Sequence, residues 1–177
     1  MAQGASTITQ QLARTLYLTQ KKKILRKIKE ALTAIKIEST YSKQEILQMY
    51  LNEQYFGHGQ YGIQAAARFY FSKNIEDLDL VESACLIALL KAPGKYSPIE
   101  HPLKCLWRRN LVFELMKQNG LLTQAQVDSL KKIPIQLNLS SESIGTAPYF
   151  VEYVRQFLQK KYGFNLLYKR GVSVYTT

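Results

Sequence analysis

Glu30 is the lone carboxylate among the first 36 residues, and eight cations share that stretch: Arg14, Lys21, Lys22, Lys23, Arg26, Lys27, Lys29 and Lys36. Arg26 and Lys27 precede Glu30 by four and three residues, so a helix would put all three on one face. Two chemistries fit that spacing. One is an ordinary helical ion pair, adding about 0.3–0.5 kcal/mol at a solvated surface. The other is an anion site, with the cations on pyrophosphate oxygens and Glu30 holding a divalent ion. Spacing alone favours the first.

A second group lies just upstream, in Gly4-Ala5-Ser6-Thr7-Ile8-Thr9-Gln10-Gln11-Leu12-Ala13-Arg14. Small residues and hydroxyls lead here into a helix N-terminus, where free N–H groups and the macrodipole favour anions. Gln10 and Gln11 stand four and three residues before Arg14, so all three reach one side of that helix. An exposed polar helix start explains the segment equally well.

Positioning these groups falls to a run of helices with clear punctuation. Thr7 with Gln10, Ser42 with Glu45 and Thr123 with Gln126 each make a capping-box pattern. They predict helices from Thr7 to about Leu18, over Lys43–Asn52, and ahead of Pro134. Ile24, Leu25, Ile28, Leu32 and Ile35 recur at helical spacing between Lys21 and Ser39. Ile46, Leu47, Tyr50 and Leu51 are expected to face inward. A glycine-marked turn (Gly57, Gly59, Gly62) precedes a helix over Gln64–Phe71, and His58 within that turn reads as structural. Leu78–Lys91 is an apolar helix closed by Pro93-Gly94, and Leu103–Asn119 is stopped by Gly120. The domain is therefore expected to be mainly α over residues 1–134. Residues 135–177 read as a linker, a helix over Pro148–Tyr162 and a strand near Val172–Thr176, the start of a connector.

Bulk properties narrow the partners. Apolar residues make up 46% and charged residues 21%, which excludes a disordered chain. The net charge is +11, of which +7 falls within residues 1–36. Such a balance calls for nucleic acid, a phospholipid surface or a phosphorylated substrate. No nucleic-acid-binding module is recognisable, so nucleic acid is not expected. Cys85, Cys105, His58 and His101 have no metal-type spacing, and Cys85 reads as a small buried hydrophobe. The apolar run Ala84–Leu90 is too short for a bilayer, which needs about 20 residues, and neither a signal peptide nor a membrane anchor is visible.

Six segments in one order carry a resemblance: GASTITQQLAR, RKIKEA, KQEILQMYLN, YFGHGQYGIQAAARFYF, LKAPGKYSP and the arginine pair Arg108-Arg109 before NLV. Together they resemble glycosyltransferase family 51, the peptidoglycan polymerases of class A penicillin-binding proteins and their monofunctional relatives. The match spans about residues 3–134, and the tail resembles the connector toward a transpeptidase domain. The resemblance implies a lysozyme-like helical fold with a long substrate cleft. It implies that Ser6, Thr7, Gln10, Gln11 and Arg14 line the donor side and contact pyrophosphate. Arg26, Lys27 and Glu30 match the motif with the second acid, a phosphate or metal partner with Mg²⁺ or Mn²⁺. Lys43, Glu45, Asn52, Arg108, Arg109 and Val112 match mostly structural motifs. Ala5 stands where the family usually has a second glycine, and Arg14 where lysine is common.

The implied reaction is polymerisation of lipid II on a growing glycan strand, with loss of undecaprenyl pyrophosphate. The implied setting is the outer face of the bacterial inner membrane, beside an anionic lipid surface and other cell-wall synthesis proteins. In the family, the glutamate acting as main base lies upstream of the STITQQ segment, where this sequence has only Met1-Ala2-Gln3 before Gly4. The isolated chain is therefore expected to be nearly inactive, since general-base catalysis is worth about 10²–10⁴-fold, and poorly soluble, since apolar surface that the upstream segment covers would be exposed. The alternatives are a catalytically dead remnant or non-catalytic partner of cell-wall machinery, or a lytic transglycosylase, which the STITQQ segment opposes.

Overall fold

Capping decides where several helices begin. In the computed structural model, which describes residues 6–17 and 23–139 together with Val154, Phe157 and Leu158, the Ser42 hydroxyl accepts from the Glu45 N–H at 3.3 Å. The Glu45 carboxylate returns the bond to the Ser42 N–H at 2.8 Å. These reciprocal bonds open α3 (Lys43–Glu53) and hold the Glu45 carboxyl below its ordinary range. Thr123 and Gln126 do the same for α8 (Gln124–Lys132). Asp79 and Glu82 form a third box at the start of α5 (Leu80–Leu89), which the sequence reading did not pick out. At the head of α1 (Ile8–Tyr17), the Gln10 N–H donates to Thr7 Oγ1 at 3.2 Å.

The other helices follow in order: α2 (Lys23–Thr40), α4 (Ile63–Phe71), α6 (Pro93–Tyr96) and α7 (Pro102–Gln118), with a 3₁₀ turn over Ile75–Asp77. No strand occurs among the described residues; Tyr55 and Tyr61 form an isolated bridge. The expected all-helical architecture is thus observed. Pro93-Gly94, read as the stop of the preceding helix, instead opens the short α6. Proline at the first helical position lacks only an N–H that would be unsatisfied there anyway.

Two glycines are conformationally required. Gly62 has φ +85°, and a Cβ there would lie 3.0 Å from the Asn52 carbonyl oxygen. Gly57 has φ +92°, and its Cβ would meet the Tyr70 hydroxyl at 3.1 Å. That close approach lets Phe56 and His58 fold back onto α4. The Tyr70 hydroxyl donates to the Phe56 carbonyl at 2.9 Å, and the His58 ring stacks on Phe69.

Three apolar clusters result. Leu12, Ala13, Ile37, Ile46 and Tyr50 join α1, α2 and α3. The aromatic cluster includes Phe56, Phe69, Tyr70, Phe71, Leu86 and Leu89, centred on α4 and α5. Val81, Ala84, Phe113 and Val127 bind α5, α7 and α8. Each fully buried side chain of this size contributes about 1.5–3 kcal/mol.

The apolar spacing on α2 does not mark its buried side. Ile28, Leu32 and Ile35 are 52, 62 and 64% exposed, and the side chains of Ile24 and Leu25 lie outside the described residues. On α2 the buried stripe is Glu30, Ala34 and Ile37, spaced at i, i+4 and i+7, and the isoleucine–leucine stripe lies on the opposite side. The side that α1 covers carries the charged group with Ala34 and Ile37, while the stronger apolar stripe faces solvent, and periodicity does not say which side a neighbour covers. Leu47, expected to face inward, is 44% exposed and lines a groove of about 420 Å³ with Ile8, Lys43 and Ile46.

The chain forms two compact units, Met1–Leu139 and Ser140–Thr177. In the first, residues 135–139, read as the start of a linker, are tied to α4. The Asn138 N–H donates to the Tyr70 carbonyl at 2.9 Å, and Ile135 and Leu137 pack on the aromatic cluster. In the second, Val154, Phe157 and Leu158 are helical. The rest of the expected Pro148–Tyr162 helix and the strand near Val172–Thr176 lie outside the described residues.

Candidate functional site

The packing of α1 on α2 assembles the charged groups. Leu12 and Ala13 on α1 are fully buried beside Ile37, and the same contact brings Arg14 over the first turns of α2. Glu30 is 1% exposed, buried at this junction. Its Oε2 accepts from Lys27 Nζ at 3.1 Å, and its Oε1 lies 3.3 Å from Arg14 Nε. The first contact is the i,i+3 pair that the sequence contains. The second crosses helices and has no local signal in the sequence.

Ser6 completes the group at the head of α1. Its hydroxyl accepts from Lys27 Nζ at 2.9 Å and from Arg14 Nη2 at 3.4 Å. Gln11 Nε2 donates to the Ser6 carbonyl at 3.3 Å, and the Tyr50 hydroxyl donates to Gln11 Oε1 at 3.3 Å. Burial raises the Tyr50 pKa, which keeps the phenol a donor. Tyr50 therefore orients Gln11 from α3, a link that sequence reading missed. Of the expected set, Ser6, Gln11, Arg14, Lys27 and Glu30 come together here. Thr7 caps α1 with Gln10 beside it, and the side chain of Arg26 lies outside the described residues.

Charge distribution gives the arrangement its chemistry. A buried carboxylate is costly unless paired. Among the described residues Glu30 pairs with both Arg14 and Lys27, whose side chains remain 46 and 56% exposed. The acid thus anchors two cations that keep free N–H donors toward solvent, next to a helix N-terminus. One carboxylate against two cations leaves the cluster net positive. An anion with several oxygens fits this geometry.

Among the described residues no group of three or more His, Cys, Asp or Glu side chains could hold a metal ion by itself, and the Glu30 oxygens face Lys27 and Arg14.

The residues expected to be structural lie elsewhere. Glu45 caps α3, Lys43 and Asn52 are exposed at its two ends, and the Asn52 carbonyl abuts Gly62. Arg109 is fully buried and donates to the Ile133 carbonyl at 2.7 Å, fastening α7 to the chain after α8. The Arg108 guanidinium sits 5.8 Å from the Tyr96 ring centroid.

A protein-family model described as transglycosylase matches residues 1–117. The chain belongs to the transglycosylase family. Among curated relatives, penicillin-binding protein 1A of Aquifex aeolicus is 45% identical over 177 residues, covering all of this chain and 24% of the relative. Penicillin-binding protein 1A of Escherichia coli is 42% identical, over 99% of this chain and 21% of the relative. The chain therefore spans less than a quarter of the length of these two relatives. The crystal structure of penicillin-binding protein 1A from Haemophilus influenzae superposes with a TM-score of 0.55 at 32% identity, over 75% of this chain and 20% of that one. This family is the one the six ordered segments pointed to, and the whole Ser6–Glu30 cluster lies within the matched span.

Proposed function

We propose that this transglycosylase-family chain contributes the pyrophosphate-binding part of a peptidoglycan glycosyltransferase acting on lipid II. The carrying observation is the buried Glu30, which holds Arg14 and Lys27 beside Ser6 at the head of α1. In the reaction, the acceptor 4-hydroxyl attacks the anomeric carbon of the growing strand, and undecaprenyl pyrophosphate departs with inversion. Negative charge develops on the leaving oxygen. Arg14 and Lys27, fixed in advance by Glu30, stabilise that charge without reorganising at the moment of reaction. Arg26 joins them on the sequence pattern, and Gln10, Gln11 and Thr7 set the approach to the α1 N-terminus.

Glu30 is a positioning residue in this proposal. Its two oxygens face Lys27 and Arg14, so its geometry serves the cations of the cluster. The base is assigned to another residue, in keeping with the family pattern. Mg²⁺ or Mn²⁺ enters with the pyrophosphate of the substrate and is not held by the protein alone.

The setting we propose is the outer face of the bacterial inner membrane. Ile28, Leu32 and Ile35 form an exposed apolar stripe on α2, flanked by Lys27 on one side and Lys29 and Lys36 on the other. That pattern suits a helix lying against anionic headgroups.

Lipid II polymerisation in Mg²⁺, by the chain alone and by the chain behind a family-type upstream segment, tests the reading. Polymer from the extended form only, lost in Lys27→Ala, supports it. An inert extended form that still folds would instead favour a non-catalytic relative.

A further inference from the structure

Cys85 on α5 and Cys105 on α7 stand apart from the charged site. Both are fully buried, and their sulfurs lie 3.4 Å apart across two helices that pack together. A lone buried cysteine is an ordinary small hydrophobe. Two that face each other at contact distance can also exchange.

Arg109 supplies the second observation. It sits one turn beyond Cys105 on α7 and is fully buried. Its N–H groups donate to the Ile133 and Lys131 carbonyls and to Asn110 Oδ1, all neutral acceptors. No carboxylate is within ion-pair reach of it among the described residues. A buried cation without an anion is costly. The acidic groups whose charge would bear on it are the two thiols. They are also unequal. The bond between the two sulfurs and the nearby Arg109 lower the Cys105 thiol, while the same bond and burial raise Cys85. A thiolate at Cys105 would face Arg109 on its own helix.

We propose that Cys85 and Cys105 form a reversible disulfide that clamps α5 to α7, made by exchange with a low-molecular-weight disulfide. The Cys105 thiolate attacks one sulfur of that disulfide, forming a mixed disulfide and releasing one thiolate. That thiolate takes the Cys85 proton. Cys85 sulfur then attacks Cys105 Sγ and displaces the second small thiol, so two cysteine thiols are oxidised and one disulfide is reduced to two thiols. A disulfide bond is about 2.0 Å long, so the sulfurs close by only about 1.4 Å. Neither sulfur is reachable in the closed core, so exchange proceeds during folding or through a transient opening of α5 from α7. The bridge closes a loop and narrows the unfolded ensemble, which stabilises the folded chain. None of this rests on the polymerase reading. That reading adds only a compartment in which disulfides persist.

The reduced full chain, refolded in oxidised glutathione and then alkylated, decides the matter by mass spectrometry and thermal melting. The expected product is monomeric, two hydrogens lighter, unalkylated at both cysteines and of unchanged helical content. Its melting midpoint rises by several degrees and falls back on reduction. Thiols that stay alkylatable after complete refolding overturn the proposal, as does a stable glutathione adduct or a bridge that lowers the midpoint. Because the unmodified sequence carries the test, it does not depend on how cysteine variants fold.

Discussion

The region around α1–α3 and the region around α4–α8 solve opposite problems with the same kind of element. The second buries its aromatic residues and closes its charges. Phe56, Tyr70, Phe71 and Phe113 are almost wholly covered, and Arg109 spends its donors on backbone carbonyls. The first has a thin core of Leu12, Ala13, Ile37, Ile46 and Tyr50 and leaves an apolar stripe of α2 in the open. Its one buried acid serves to hold two cations outward. A buried charge thus has two uses: Arg109 turned inward fastens a fold, while Glu30 holds two cations at the surface.

If that division is right, substitutions should separate stability from binding by region. Phe113→Ala, in the α5–α7–α8 cluster, is expected to have the largest effect on stability, about 3–5 kcal/mol, because it removes a fully buried ring and leaves a cavity. Urea unfolding measures it. The folded fraction should bind pyrophosphate as before. A parallel loss of affinity per folded molecule would break the division.

Lys27→Ala is the converse experiment. Losing a charge-assisted donor of about 1.5–3 kcal/mol should weaken Mg²⁺–pyrophosphate binding by about 10–100-fold, read by calorimetry. Glu30 is buried and keeps Arg14 as its partner, so the melting midpoint should also fall, by less than in Phe113→Ala. A drop in midpoint with unchanged affinity would make the cluster merely structural.

How much of this was legible in the sequence also divides by region. The helices were readable because each local signal is complete within four residues, as Ser42–Glu45 and Thr123–Gln126 demonstrate. Asp79–Glu82 carried the same signal and was overlooked. The Glu30 cluster was half readable. Lys27 stands at i−3, but Arg14 reaches Glu30 from another helix sixteen positions away, and no periodicity encodes that contact. The exposure of Ile28, Leu32 and Ile35 was unreadable for a related reason. Periodicity marks an apolar stripe but leaves to tertiary packing whether a neighbour covers it, and here α1 covers the side that carries Glu30.

Glu114 offers a smaller effect and a pH signature for the packed region. Lys117 and Lys131 hydrogen-bond its carboxylate and hold its pKa down at about 2, against an ordinary 4.5. A group whose folded value is depressed stabilises the fold above its unfolded value and loses that contribution as acid protonates it. The stabilisation should be fully present above about pH 4.5 and fade toward pH 2. Glu114→Gln should destabilise the chain at neutral pH and flatten the acid limb of the stability curve within that window. An acid limb identical to that of the parent would sink the assignment.

The smallest effects sharpen the comparison most, because they test what the two regions share. Ser42 caps α3 in the first and Thr123 caps α8 in the second, with the same reciprocal geometry. Each hydroxyl accepts one N–H that the helix cannot satisfy internally, so Ser42→Ala and Thr123→Ala should each cost about 1 kcal/mol. Equal losses would mean that local helix energetics do not differ between the regions, and that the contrast lies in how their helices pack. A Ser42→Ala loss well above that of Thr123→Ala would have a specific cause. Tyr50, which orients Gln11, sits on the capped helix α3, so a loosened start of α3 would propagate to the Ser6–Arg14–Glu30 cluster. Measuring pyrophosphate affinity in the same two variants separates the cases: only the second predicts that Ser42→Ala weakens binding while Thr123→Ala does not.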